Sequence, residues 1–336
     1  MANVSIIGAG SWGIALSTVL NDNGHKVTVW SIVESEINML KENHEHKDKL
    51  PGVILDDKIE FTTDVKEACV GKDLLIMAVP SPYTRSTSHL FAPYIEKDTI
   101  IVNVAKGIEE KTLDTLSDII KEEIPQGIVA VLSGPSHAEE VSRGIPTTVV
   151  VGADKKETAE YIQNIFMNDR FRVYTSPDVL GIELGGALKN VVALAAGMSD
   201  GLGYGDNTKA ALITRGIAEI TRLGVAMGGK FETFAGLTGI GDLIVTCASM
   251  HSRNRRAGIL IGQGKNMQEA MDEVKMIVEG VYSAKAAIGL ANKYNVPMPI
   301  IEQVNEILFN DKPAKEAVIE LMNRDKKNEI DSNIWG

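Results

Sequence analysis

A lysine inside an apolar helix needs a reason to be there, and this chain carries one. Residues 179–198 form a long apolar stretch containing Gly181, Gly185, Gly186 and Gly197, and within it stand two adjacent polar residues, Lys189 and Asn190. Burying an amine costs free energy unless it is paired. Burial also lowers the pKa of a lysine toward the range where it can donate and accept a proton near neutrality. Lys189 is therefore a candidate acid–base group. The competing view is a helix with one exposed polar stripe. The neighbouring glycines speak against it, because they permit close approach by another element or a ligand. Asp242, in the run G-L-T-G-I-G-D-L-I-V-T-C, also lies in apolar surroundings and needs a partner. A carboxylate opposite Lys189 would meet both needs, and Thr246, four residues on, shares its helical face.

Two further groups could bind an anion. Lys106 follows the apolar run T-I-I-V-N-V, in A-K-G-I-E. It either holds a substrate oxygen or phosphate as a point charge or is a solvated loop lysine. The segment His251-Ser252-Arg253-Asn254-Arg255-Arg256 sets three arginines in four positions. Guanidinium forks suit bidentate phosphate binding, with Ser252 and Asn254 as neutral donors at a helix start. The alternative is a charged helix N-terminus, which would oppose the helix dipole. Gly134-Pro135-Ser136 reads as a turn into a helix, with Ser136 as N-cap and Glu139 in the capping-box position. Its N–H groups could also contact substrate. His137 stands alone on that turn and receives no acid–base role.

The elements that must hold these groups begin at the N-terminus. Residues 4–13 read V-S-I-I-G-A-G-S-W-G. A β-branched strand stops at Gly8, and Gly10 and Gly13 complete G-x-G-x-x-G. Gly8 permits the tight turn, Gly10 lets a pyrophosphate approach the backbone, and Gly13 lets the next helix pack on the strand. The positive end of that helix then faces the phosphates. The competing view is a glycine-rich turn without a ligand. Residues 26–30 (K-V-T-V-W) give the second strand of a right-handed βαβ unit and so a parallel sheet. After it comes Ser31-Ile32-Val33-Glu34, with no arginine or histidine. Glu34 either reaches the ribose 2′-hydroxyl, favouring NAD, or is a solvent-facing residue starting a helix expected over 37–43. Residues 44–51 read as a solvated surface loop, with His44 and His46 lacking partners for a metal site. Strands expected near 73–79, 99–104, 127–132, 147–151 and 171–174 complete an α/β, Rossmann-type doubly wound domain over residues 1–180. Beyond Asp178 the β signals stop. An all-helical domain is expected over 181–336, with Asn207 or Thr208 capping a helix at 209–224 and a charged tail from 323.

Bulk properties narrow the function. A chain of 336 residues is long for one domain, and its 44% hydrophobic content is ample for a sizeable core. A net charge of −11 argues against nucleic acid or an anionic membrane as partner. Two distant cysteines, Cys69 and Cys247, without metal-ligand spacing, point to a reducing cytoplasm and no metal centre. No run suggests a signal peptide or a membrane span.

The motifs together resemble the bacterial NAD(P)-dependent glycerol-3-phosphate dehydrogenases along nearly the whole chain. The matching stretches are G-A-G-S-W-G, A-V-P-S at Ala78, A-K-G-I-E at Ala105, S-G-P-S-H-A-E-E-V at Ser133, G-A-L-K-N-V at Gly186, G-I-G-D-L at Gly239 and S-R-N-R at Ser252. The resemblance implies reversible reduction of dihydroxyacetone phosphate to sn-glycerol 3-phosphate with NAD(P)H, feeding glycerophospholipid synthesis. It implies Lys189 as proton donor and acceptor. Lys106, Gly134, Ser136, Asp242, Ser252, Arg253 and Asn254 are implied around the substrate, with Arg253 on its phosphate side. Lys106, Ser11, Trp12, Ala138, Arg253, Val278 and Glu279 are implied at the dinucleotide, and Asn190 and Thr246 follow as weaker carry-overs. Relatives often carry His or Arg after the second strand, where this chain has Ile32 and Val33; Lys49 could still supply a positive charge. Membership therefore does not decide between NAD and NADP, nor does the sequence fix the oligomeric state, for which a homodimer is compatible. A related two-domain dehydrogenase of the phosphogluconate type, and a redox-dead nucleotide-binding regulator, are the competing functions; the Lys189–Asp242 pair argues against the second.

Overall fold

The computed structural model describes residues 1–326, 328 and 329, so the charged tail expected from residue 323 lies largely outside the described residues. Apolar strands alternate with helices in the first half and associate into one eight-stranded sheet. In chain order these are β1 (Asn3–Ile7), β2 (Lys26–Trp30), β3 (Glu60–Thr62), β4 (Leu74–Met77), β5 (Ile100–Asn103), β6 (Ile128–Ser133), β7 (Thr147–Ala153) and β8 (Phe171–Ser176). Their spatial order is β3-β2-β1-β4-β5-β6-β7-β8. The order reverses between β1 and β4, where open α/β sheets place their ligands, beyond the carboxyl ends of the strands. All neighbouring pairs are parallel except β6 with β7, which is antiparallel. The three-residue β3 has no counterpart among the expected strands, being too short to show a period.

Strands buried on both faces read as continuous apolar runs, and β4 (L-L-I-M) is buried throughout. One face packs Ile6, Ile76 and Val102 against the helix Ser11–Asp22. The other packs Ile7, Leu75 and Ile101 beneath Phe91 and Ile120. Local expectations shift at several points. The helix expected over 37–43 starts at Glu34. The loop at 44–51 is not wholly solvated, because His46 and Leu50 are buried. The helix Ala138–Val141 takes His137 as N-cap, while the Ser136 hydroxyl bonds back to the Gly134 carbonyl, so Ser136 is not the cap. Gly205 rather than Asn207 or Thr208 precedes the helix Asp206–Ala226.

The second half is helical around one axis, Val179–Gly201. Asp178 caps it by accepting from the Gly181 N–H at 3.0 Å. This helix is long and apolar enough to cross a membrane by length and composition, contrary to the expectation that no such run exists; 83% of its most apolar window is nevertheless buried inside the protein. Its glycines act as close-approach points. A Cβ on Gly197 would stand 2.1 Å from the Arg255 carbonyl oxygen, and one on Gly258 would stand 2.2 Å from that of Leu194. The helix Arg253–Gly262 thus lies backbone to backbone against the axial helix, and Ser252, Arg253 and Asn254 are fixed relative to Lys189.

Candidate active site

The glycine turn has the shape a dinucleotide requires. Gly8 has φ +122°, and a Cβ there would sit 2.8 Å from the Ala78 carbonyl oxygen. A Cβ on Gly13 would sit 2.2 Å from the Gly8 carbonyl oxygen. A Cβ on Gly10 would meet nothing within 4 Å. Two glycines therefore serve the fold, and the middle one opens onto space. The helix Ser11–Asp22 begins there with no side-chain cap and no acidic residue in its first turn. Its free N–H groups and positive end are available to an anion. Trp12 packs partly against the core, and the short helix bearing Ala138 lies against Ser11–Asp22. These residues fit a dinucleotide.

The sheet and the helical domain meet in an ion chain. The Lys189 ammonium donates to Asp242 Oδ1 at 2.8 Å and to Thr246 Oγ1 at 2.6 Å. Lys106, just past β5, donates to Asp242 Oδ2 at 2.6 Å and to the Gly134 carbonyl at 3.0 Å. One carboxylate thus holds two ammonium groups, one from each half of the chain. Asp242 is placed by a π-turn over Leu237–Gly241, a rare element that re-aims a side chain. That turn approaches the axial helix closely, since a Cβ on Gly185 would lie 2.7 Å from the Thr238 carbonyl oxygen. Lys189 and Asp242 are 6% and 2% exposed. Burial pulls the Lys189 pKa down to about 8, with Asp242 opposing and Lys106 reinforcing the shift. Burial works against the Asp242 carboxylate, but Lys106 and Lys189 outweigh it and hold its pKa below the usual range.

The arginine run does not act as one cradle. Arg255 turns away to Asp200, donating from Nε at 2.8 Å, and to the Ala248 carbonyl at 2.7 Å. Arg253 instead donates from Nη1 to the Ile277 carbonyl at 3.2 Å, and burial lowers its pKa, with Glu279 and Glu139 as the nearby opposing charges. Ser252 caps its helix by accepting from the Arg255 N–H at 3.2 Å. The Asn254 amide donates to Asn190 at 2.9 Å and accepts from the Gly280 N–H at 2.8 Å. Asn190 and Asn254 therefore join three helices. Val278 is buried ahead of the helix Glu279–Tyr294. The Glu279 carboxylate accepts from the Ser81 N–H at 3.1 Å and from the Ser81 hydroxyl, beyond the end of β4.

Three further groups stand out that the sequence motifs leave without a role. His137 is beside the ion chain; burial lowers its pKa, and the Lys189 charge adds to that. Its Nε2 is buried without a partner among the described residues. Glu183, one helical turn and more before Lys189, accepts from the Ser117 N–H at 2.9 Å and from Asn103 at 3.2 Å, tying the axial helix to the sheet. Its charge inside an apolar helix was the available signal. Glu36 accepts from Ser31 at 2.8 Å and pairs with Lys49, while Glu34 is exposed in the first turn of its helix. The acidic side chain bonded to the first residue past β2 is thus Glu36.

Comparison with known proteins agrees across both halves. A family model for the NAD-dependent glycerol-3-phosphate dehydrogenase N-terminus matches residues 3–159, and one for the C-terminus matches residues 178–319. The glycerol-3-phosphate dehydrogenase [NAD(P)+] of Agathobacter rectalis is 68% identical over 335 residues, covering 100% of both chains. That of Fusobacterium nucleatum is 63% identical, covering 99% of this chain and 100% of its own. The crystal structure of the Coxiella burnetii glycerol-3-phosphate dehydrogenase superposes with a TM-score of 0.93 at 36% identity, covering 96% of this chain and 99% of that one. With its glycine turn, its buried lysine–aspartate pair and these matches, the chain belongs to the NAD-dependent glycerol-3-phosphate dehydrogenase family.

Proposed function

We propose that Lys189 is the proton donor and acceptor in the reversible reduction of dihydroxyacetone phosphate to sn-glycerol 3-phosphate. The observation that carries this is the Lys106–Asp242–Lys189 chain, with a buried ammonium of lowered pKa at the meeting of sheet and helices. When bound, the nicotinamide supplies the hydride to the ketone carbon, or accepts it in reverse. Negative charge then grows on the carbonyl oxygen. The Lys189 ammonium stabilises it and delivers the proton, and Lys106 adds electrostatic support. Asp242 holds both ammonium groups in place. Gly134 and Ser136 line the substrate with Ser252 and Asn254, and Arg253 takes the phosphate, whose binding orients the ketone. The dinucleotide is held by Gly8, Gly10, Ser11, Trp12 and Gly13 on one side, and by Ala138, Arg253, Val278 and Glu279 with Lys106 on the other. Residues 1–180 form the dinucleotide-binding unit in this reading and 181–336 the catalytic one. A cytoplasmic place is supported by two free buried thiols, and the lack of stable membrane association belongs to the same reading. A homodimer belongs to the same reading and is checked by sedimentation velocity.

Initial rates with dihydroxyacetone phosphate and NADH or NADPH test it. Lys189→Met lowers turnover by about three orders of magnitude while NADH fluorescence titration still shows binding. Turnover near the wild-type value in that variant defeats the assignment. Ketone reduction needs the ammonium, so its rate falls as pH rises through about 8, and alcohol oxidation gains over the same interval.

A further inference from the structure

We propose that Glu36 makes this enzyme select a dinucleotide whose adenosine ribose carries a free 2′-hydroxyl, by engaging the two groups, Ser31 and Lys49, that would otherwise receive a 2′-phosphate. The inference rests on the glycine turn being the dinucleotide site. Strand β2 runs beside β1 with Trp30 opposite Ile7, and the Gly8 N–H bonds to the Trp30 carbonyl at 2.8 Å. Ser31 is thus the first residue past the strand next to the glycine turn, where folds of this kind receive the ribose.

The side chains gathered there have little to offer a phosphate. Ile32 and Val33 are 73% and 43% exposed and apolar. The Ser31 hydroxyl donates to Glu36 Oε2 at 2.8 Å and accepts from the Val33 N–H at 3.2 Å, so both its roles are filled. Lys49 reaches the cluster from the next loop, and its ammonium is paired with Glu36 Oε1. His46, buried beneath, fixes this arrangement from behind. Its Nδ1 accepts from the Lys49 N–H at 3.3 Å, and its Nε2 lies 3.9 Å from Glu36 Oε1. Burial works against the Glu36 carboxylate, but His46, Lys49 and Ser31 together bring its pKa down to about 2, so it stays ionised.

Charge and donor count then separate the two ligands. The Glu36–Lys49 pair sums to zero, so it offers a 2′-phosphate no net positive charge, and the phosphate must compete with a carboxylate for Lys49. A 2′-hydroxyl is a neutral donor, and an ionised carboxylate has about four acceptor positions, of which Ser31 and Lys49 take only part. The same pair therefore rejects one dinucleotide and accepts the other.

The test reads binding without turnover. Fluorescence titration of the wild-type enzyme with NADH and NADPH should give a dissociation constant at least tenfold lower for NADH. Glu36→Gln leaves the Lys49 charge uncompensated and should shift the NADH-to-NADPH ratio toward NADPH by about tenfold. Adding Lys49→Met to that variant should reverse the shift. Val33→Arg leaves the Glu36 pair in place and should gain NADPH affinity by supplying a new cation. Equal or tighter binding of NADPH by the wild type overturns the proposal, and that result requires no variant to fold. A gain with Val33→Arg but none with a folded Glu36→Gln also overturns it, since selectivity would then come from the missing cation alone. Clear selective binding of NADH without turnover of dihydroxyacetone phosphate would defeat the dehydrogenase mechanism while supporting this inference.

Discussion

Arg253 and Arg255 stand two positions apart and have opposite fates. The helix carrying them turns Arg255 toward Asp200, where its guanidinium closes an ion pair at 2.8 Å that also faces Lys209. Arg253 instead donates to the Ile277 carbonyl and lies within the influence of the Glu279 and Glu139 charges. Of these two, Arg253 is the one not held by a carboxylate among the described residues, and so the one open to a phosphate. Arg253→Ala should raise KM for dihydroxyacetone phosphate by roughly 10- to 100-fold, the range of a hydrogen-bonded charged pair. An unchanged KM would remove Arg253 from the phosphate side. Arg255→Ala, by contrast, should act on stability, because it strands Asp200 beside Lys209 alone.

At the scale of elements, the glycine turn separates fold from function within six residues. Gly10 has an ordinary backbone conformation, φ −72°, and space where a Cβ would be. Gly10→Ala should leave the thermal midpoint within about 2 °C, since surface changes of this kind stay within roughly 0.5 kcal/mol, and should weaken NADH binding. Gly13→Ala should do the reverse of sparing the fold. Its Cβ would overlap the Gly8 carbonyl oxygen at 2.2 Å, and overpacking of this sort costs about 1–3 kcal/mol or more. Thermal melts alongside NADH titrations distinguish the two. If Gly10→Ala bound NADH as well as wild type, the open space beside it would not be the pyrophosphate site. The axial helix follows the same logic, since its glycines are where other backbones approach rather than where the helix is weak.

The whole molecule depends on buried carboxylates that join elements far apart in sequence. Glu183 ties the axial helix to β5 and to the helix Leu116–Glu123, and Glu279 ties the helix Glu279–Tyr294 to the end of β4. Glu219 does so within the helical domain, beside a cavity of about 310 Å³ lined by Leu212, Ile300 and Val304. Its carboxylate accepts from the Ile300 and Ile301 N–H groups at 2.9 and 3.3 Å, serving the uncapped start of the helix Pro299–Phe309. Burial raises its pKa from 4.5 to about 7, against the two backbone bonds. The folded state thus binds this proton more tightly than the unfolded state. Its contribution, on the order of 3 kcal/mol at 1.36 kcal/mol per pK unit, is complete below pH 4.5 and is lost as pH rises through about 7. Glu219→Gln should flatten the fall of the thermal midpoint between pH 4.5 and 7. A wild-type-like slope in that variant would assign the pH dependence elsewhere.

The residues alone determined whatever depends on neighbours in the chain. The glycine spacing after an apolar strand, the succession of β-branched runs, the change to helices after Asp178, and two polar groups in an apolar helix were all legible, because period and burial pattern are local. Local too were the motifs that carry the family resemblance. What tertiary structure decided were the partners. The Asp242–Lys189 pair was expected from the apolar surroundings of both residues, but that Lys106 joins the same carboxylate, across 136 residues, was written in no local pattern. The same holds for Arg255 leaving the cradle, Ser136 turning back on Gly134, the buried His46, and Glu36 bonding Ser31. A polar side chain's role depends on the donors and charges that packing brings within hydrogen-bonding distance, and those come from elements the sequence keeps apart.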